Sequence, residues 1–379
     1  MMENLKNKKQ AKEVKQQNAM KSGGALCHIV KRDDIAWWEG WLIRLAAIVL
    51  ALIVCSIVTV SLTDLNPVEM YSTMIQGAVG TSRLTWNLIQ NTAILLCVAL
   101  AVTPAFKMKF WNIGAEGQVL MGGLATACCM IFIGDKLPSF VLIPVMFISA
   151  IVAGSLWGLV PAYFKTRINA NETLFTLMMN YIAIQLVAFF TLEMSMPKGS
   201  GTPRPLVFGQ LPAMFGQKYL LNILIVVVLT VLAYIYLKYS KQGYEISVVG
   251  ESVNTARYIG INVKKVMLRT MAISGAICGI AGFLLVAGTD HSLKSDTAGG
   301  RGYTAIMVSW LAKFNPVYMI FTSLLIVFLE KGASKISEVY RLNSSFSDII
   351  TGIIIFFIIG AEFFINYKLK FKGKEEQVW

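Results

Sequence analysis

An all-α polytopic membrane protein of about ten crossing helices is the fold this sequence predicts, and three observations carry the prediction. Hydrophobic residues make up 56% of the 379 and charged residues only 15%, far from the roughly 25% charged of soluble domains. Apolar runs of about 20 residues, long enough to cross a hydrocarbon core of about 30 Å, recur along nearly the whole chain. Lys and Arg also sort by side. With a cytoplasmic N-terminus, 24 of the 34 fall on the inner face of the resulting topology and 10 on the outer, the sense of the positive-inside rule.

The Lys-rich head, residues 1–40, opens "MMENLKNKKQAKEVKQQNAMKSGG" and is expected along the cytoplasmic membrane surface, with Trp37, Trp38 and Trp41 marking the interface. The first apolar run, 41–63, is too long for a signal-peptide core and lacks a small-x-small cleavage site, so it stays as an anchor; Arg44 within it can snorkel to the inner face. Further spans fall at 86–106, 138–163, 173–194, 219–237, 264–288, 315–332 and 347–366, with two less regular segments at 110–134 and 302–311. The last of these is about 15 Å long as a helix. Without it the lysines of the tail, 367–379, would be stranded outside, so both termini are placed in the cytoplasm.

Residues 41–366 thus form one transmembrane domain, with a long inner loop at 238–263. Ten spans divide as five plus five, and an odd number per half forces the halves into opposite orientations. The irregular third segment then corresponds to the short eighth. This is the pattern of two inverted five-helix repeats, in which broken helices mark solute routes.

Composition and motifs exclude several classes. A net charge of +13 is accounted for by basic segments beside an anionic inner leaflet, so membrane lipid and no nucleic acid is the expected partner. Cys27, Cys55, Cys97, Cys128, Cys129 and Cys278 read as small apolar fillers. Neither they nor His28 and His291 show metal-ligand spacing, and no metal site is expected. No nucleophile, base and orienting group converge, so no catalytic residue is assigned. The chain also lacks a GxxxxGK[ST] phosphate loop; ATP hydrolysis, if it drives this protein, lies on another polypeptide.

"KMKFWNIGAEGQVLMGG", residues 107–123, places Asn112, Glu116 and Gln118 at the head of an apolar segment. A carboxylate at the bilayer centre costs on the order of 3 kcal/mol, so such residues face protein or water rather than lipid. Either Glu116 borders a translocation path, beside glycines at 114, 117, 122 and 123 that permit a bent segment, or it pairs with a neighbouring helix and fixes packing. "GSLWG" at 154–158 and "GAICG" at 275–279 are GxxxG patterns that let helices approach closely. In the inner loop, "KYSKQGYEISVVGESVNTARYIGINVKK", Ser252 as N-cap and Gly260 at C′ frame a polar helix of about two turns. Glu251, Asn254 and Tyr258 are expected on one face of it, with Arg257 alongside. Such a helix is either a docking knob or a solvated linker.

"FWNIGAEGQVLMGG", then "NETLFTLMMNYIA" at 171–183, then "VVGESVNTARYIGI" at 248–261, in this order and spacing, resemble the permease subunit of bacterial ABC importers of the branched-chain amino acid and simple-sugar superfamily, nearest its nucleoside-type branch. The resemblance covers about residues 40–366. It implies a permease of the bacterial plasma membrane that moves a small polar solute, a nucleoside or a simple sugar. It further implies an ATPase subunit with paired nucleotide-binding domains and ATP-Mg, a second homologous permease, and a substrate-binding lipoprotein, while this chain itself holds no cofactor. By the same resemblance "VVGESVNTARYIGI" is the coupling helix seated in a cleft of the ATPase, which assigns Glu251, Asn254, Arg257 and Tyr258 to that contact. Asn112, Glu116, Gln118, Asn180 and Tyr303 are the candidates for the translocation path.

The alternative is a proton-coupled secondary transporter, with Glu116, Glu193 or Asp290 carrying the proton. Of these only Glu116 falls well within a span, and a capped inner helix would have no purpose there. Trp111, Tyr303 and Trp310 are placed either to stack a nucleobase or to anchor spans at the interface.

Overall fold

The structure, a computed structural model, describes residues 27–31, 37–63, 66–195, 197 and 199–371. The expectations for the Lys-rich head up to residue 26, for 32–36 and for the tail from 372 fall outside the described residues. Two compact units are distinguished, one of Asn66–Thr351 and one of the chain up to Leu65 together with Gly352 onward.

Among the described residues nine helices are long and apolar enough to cross a membrane. In chain order the helices are α1 (Trp37–Leu62), α2 (Pro67–Val79), α3 (Ser82–Lys107), α4 (Ala115–Phe132), α5 (Ser139–Ile168), α6 (Glu172–Glu193), α7 (Leu220–Tyr239), α8 (Lys241–Glu251), α9 (Val253–Tyr258), α10 (Val263–Leu285), α11 (Arg301–Leu311), α12 (Pro316–Val339) and α13 (Ser344–Asn366). A π-helical turn, Val286–Asp290, extends α10. The short segment expected at 302–311 is α11, whose 11 residues make about 16 Å of helix, half a crossing.

Polar caps punctuate this apolar chain where helices begin. The Thr81 side chain accepts from Leu84 N, Asn171 from Thr173 N and Leu174 N, Asn262 from Lys265 N, and Asn315 from Val317 N ahead of Pro316. Each satisfies an amide that the helix itself leaves without a partner. The same device starts α2, where Asn66 caps Val68 N and Pro67 takes the first helical position. Hydropathy alone passes over α2. It packs on α12, where Gly77 admits the Lys335 side chain and Gly332 admits Met74.

Helices α3 and α10 form the centre of the larger unit. α10 packs on α4 and α5, and α3 on α11 and α12. The two GxxxG patterns cross each other: a Cβ at Gly154 or Gly275 would overlap the other's carbonyl oxygen, and one at Gly279 would strike the Ala150 carbonyl. Gly122 of α4 joins them, facing Gly279. With no hydrophobic drive between helices in lipid, this backbone proximity supplies the packing that holds them.

In the smaller unit, strand β1 (Cys27–Lys31) pairs antiparallel with β2 (Tyr367–Phe371), Cys27 opposite Phe371 and Lys31 opposite Tyr367. Arg44 does not simply snorkel. Its Nη2 lies 2.6 Å and its Nε 3.0 Å from Glu362 Oε1, because a carboxylate at matching depth on α13 offers a partner inside the protein.

Candidate functional site

The segment between α3 and α4 is where the chain leaves regular structure. α3 closes through Lys109 N to Phe106 O and Phe110 N to Ala105 O, both 2.9 Å, with Lys109 left-handed at φ 59°. Residues 110–114 then run back into the protein without helical bonds. Irregular backbone at membrane depth persists only where protein satisfies it, and here polar side chains do so. Asn112 Oδ1 accepts from Gly114 N at 3.0 Å and from Gln118 Nε2 at 3.2 Å, and its Nδ2 donates to Ser274 Oγ of α10 at 3.2 Å. From α6, Thr176 Oγ1 accepts from Ile113 N at 3.2 Å, while Asn180 donates to Ile113 O and accepts from Gly117 N, both at 2.8 Å. Asn112, Gln118 and Asn180 are fully buried.

Glu116, in the first turn of α4, reaches across to α11. Its Oε1 accepts from Gly300 N and its Oε2 from Gly302 N, each at 2.7 Å. The carboxylate therefore caps α11, whose N-terminus carries the positive end of the helix dipole. Gly302 presses so close that a Cβ there would fall 2.8 Å from Glu116 Cα. Gly299 and Gly300, at φ 59° and 72°, make the left-handed turn that aims the amides. The starts of α4 and of the half-length α11 thus meet, with both oxygens of one buried carboxylate engaged by backbone. These are the contacts of a residue that fixes packing.

Tyr303 sits at the edge of that knot. It is 40% exposed, its hydroxyl accepts from Asn180 Nδ2 at 3.2 Å, and it lies two turns before Trp310 on the same face of α11. Trp310 is half exposed and its ring centroid is 5.7 Å from that of Trp111. Asp290 and Glu193 have no part in the knot.

The inner loop forms two helices. Ser240 Oγ accepts from Gly243 N to start α8, and Ser252, extended at φ −154° and ψ 117°, breaks the chain and caps α9 through Thr255 N at 3.2 Å. Gly260, at φ 83°, ends it as expected, with Ile261 N returning to Ala256 O at 2.9 Å. Because Ser252 interrupts the helix, Glu251 ends α8 and does not share a helical face with Asn254 and Tyr258. All three, with Arg257, are nonetheless exposed, Tyr258 to 93%.

The root of this pair of helices is apolar. Ile246, Val249 and Ala256 pack with Ala105, Met108, Phe110, Val263 and Val266, and a Cβ at Gly250 would overlap the Lys107 carbonyl. A bond of 2.8 Å from Arg269 Nη2 to Glu245 Oε2 ties α8 to α10. The pair of helices is therefore seated, through α8, on the turn that leads into Asn112 and Glu116.

Broken helices that meet inside an apolar bundle, joined through one buried carboxylate and resting on an exposed capped helix, define a solute permease rather than a membrane enzyme. The chain belongs to the family described as the branched-chain amino acid transport system permease component, which it matches over residues 84–359. It is similar to the glucose ABC transporter permease of Haloferax volcanii, 27% identical over 355 residues that cover 89% of this chain and 92% of the relative. The guanosine ABC transporter permease of Bacillus subtilis is 28% identical over 343 residues, 88% of this chain and 97% of that one. For the nucleoside ABC transporter permease of Lactococcus lactis the identity is 26% over 342 residues, 86% and 93% of the two chains. The protein is a multi-pass permease subunit of an ABC importer in the bacterial plasma membrane.

Proposed function

We propose that this permease passes a neutral polar solute, a nucleoside or a simple sugar, received from a substrate-binding lipoprotein and driven by a separate ATPase with paired nucleotide-binding domains and ATP-Mg. The ATPase docks on Glu251, Asn254, Arg257 and Tyr258, and a second homologous permease completes the membrane assembly. One observation carries the reading: the exposed helix α9 shares a buried cluster with the Met108–Phe110 turn, and Gly250 of the adjoining α8 presses on the Lys107 carbonyl that leads into it. Force applied to α9 displaces that turn. From there it passes through Asn112, Gln118 and Asn180, which position the start of α4, and through Glu116 to α11. Tyr303 lines the path on the exposed face of α11.

The cargo class is supported by the glucose, guanosine and nucleoside permeases among the relatives. The inverted repeat is supported by the packing, since α3 on α11 and α12 corresponds to α10 on α4 and α5. The β1 and β2 pairing joins the flanks of the first and last crossing, which supports termini on one side of the membrane. Against the proton-coupled alternative stands Glu116, both of whose oxygens are held by α11 amides.

The test is copurification of the ATPase with two variants. Ala256→Pro removes the bond from Ala256 N to Ser252 O and disfavours the helix by about 3 kcal/mol; Arg257→Glu reverses an exposed charge with little effect on folding. Both are expected to lose ATPase binding and solute-stimulated ATP hydrolysis while the membrane spans remain folded. Full binding and coupling in both would remove α9 as the dock.

A further inference from the structure

Around the π turn that extends α10 lie buried polar atoms that nothing pairs. Asn222, in the first turn of α7, is fully buried, yet neither its Oδ1 nor its Nδ2 has a hydrogen-bond partner. It lies flat against Gly288, where any side chain would overlap its amide. Gln90, in the third turn of α3, is equally buried; its Nε2 donates to Thr289 Oγ1 at 2.7 Å, and its Oε1 has no partner. Gly288 and Thr289 both belong to the π turn Val286–Asp290, closed by His291 N to Val286 O at 3.1 Å. Over that turn lies the loop between α6 and α7, through Leu211 N to Ala287 O at 3.0 Å and Leu206 N to His291 O at 2.8 Å.

Buried amides in folded proteins are almost always paired, and a single π turn inside an α-helix is a recurrent mark of a functional site. A group left unpaired in a protein that must change conformation finds its partner in another state. We propose that Asn222 and Gln90 form a hydrogen-bonding station for the transported solute, closed in this conformation by the π turn and the 206–211 loop and exposed when they move. The station suits a neutral solute rich in hydroxyl or amide groups. Two carboxamides present both donors and acceptors and carry no charge of their own, which fits the hydroxyls and ring nitrogens of a nucleoside or the hydroxyls of a sugar. This inference rests on the permease reading and names the cargo chemistry of its outer half.

Asn222→Leu, close in shape and without polar atoms, separates a solute contact from a packing role, with Asn222→Ser as the conservative variant. Uptake of radiolabelled guanosine and glucose is measured in proteoliposomes holding the complete transporter, and the melting temperature is measured on the purified full chain. The expected result is a KM at least tenfold higher for the transported probe in Asn222→Leu, a smaller rise in Asn222→Ser, and an unchanged or higher melting temperature, because an unpaired buried amide has been removed. Unchanged KM, or a loss of uptake that follows a lower melting temperature, overturns the station. A wild-type transporter that takes up neither probe with ATP instead overturns the cargo reading on which the station rests.

Discussion

The two broken places in this molecule are built in opposite ways. At the inner one, between α3 and α4, Asn112, Gln118, Asn180 and Thr176 satisfy one another and the irregular backbone, and Glu116 takes two amides of α11. At the outer one, around the π turn, Asn222 and Gln90 keep polar atoms buried and unpaired. A fully paired network in low dielectric is stiff, whereas a partly paired one is costly and gives way first. In the mechanism proposed above, the paired knot between α3 and α4 passes displacement from α9 to α11 as one piece, and the π turn yields to admit solute.

The sharpest way to break this comparison is Glu116→Leu. It strands the Gly300 and Gly302 amides away from water, at about 1 to 3 kcal/mol each, so the chain should melt earlier and assemble poorly in detergent thermal unfolding. Asn222→Leu should leave the melting temperature unchanged or raise it, so of the two substitutions only Glu116→Leu is expected to lower it. Equal losses would show that both places are ordinary packing. A smaller effect is expected for Asn180→Ala, which leaves Gly117 N and Ile113 O unpartnered but keeps the Glu116 clasp. It should destabilise by about 1 to 3 kcal/mol and weaken the link between ATP hydrolysis and uptake more than ATPase binding. If coupling stays intact, the knot is not the route of transmission.

Much of this was legible in the residues. The spans follow from hydropathy, a close helix approach at "GSLWG" and "GAICG" from small residues four apart, and α9 from its cap at Ser252 and its stop at Gly260, all local signals; that the two glycine motifs face each other is not among them. The helix α2 was not, since "NPVEMYSTMIQGAV" is too polar for a span; its Asn-Pro start was the usable sign. Nor was α8, whose cap at Ser240 is the only mark in a polar loop. The partner of Glu116 lies 184 residues away at Gly300, and backbone amides offered by a distant turn leave no trace in the sequence around the acid. Asn222 in "LLNILIVVV" stands as a lone polar residue in an apolar run, whereas Gln90 in "NLIQNTAILL" is one of several polar residues with Asn87, Asn91 and Thr92. What no sequence pattern reveals is that neither of them is fully paired.

The central claim is that ATP hydrolysed by a docked partner, not an ion gradient, drives solute through this chain. Proteoliposomes holding the permease with and without its ATPase test it directly, with guanosine uptake followed under ATP, under an imposed proton gradient, and with a protonophore. Uptake is expected only when ATPase and ATP are both present, undiminished by the protonophore and abolished by Ala256→Pro. Accumulation by this chain alone, driven by the proton gradient, would contradict it.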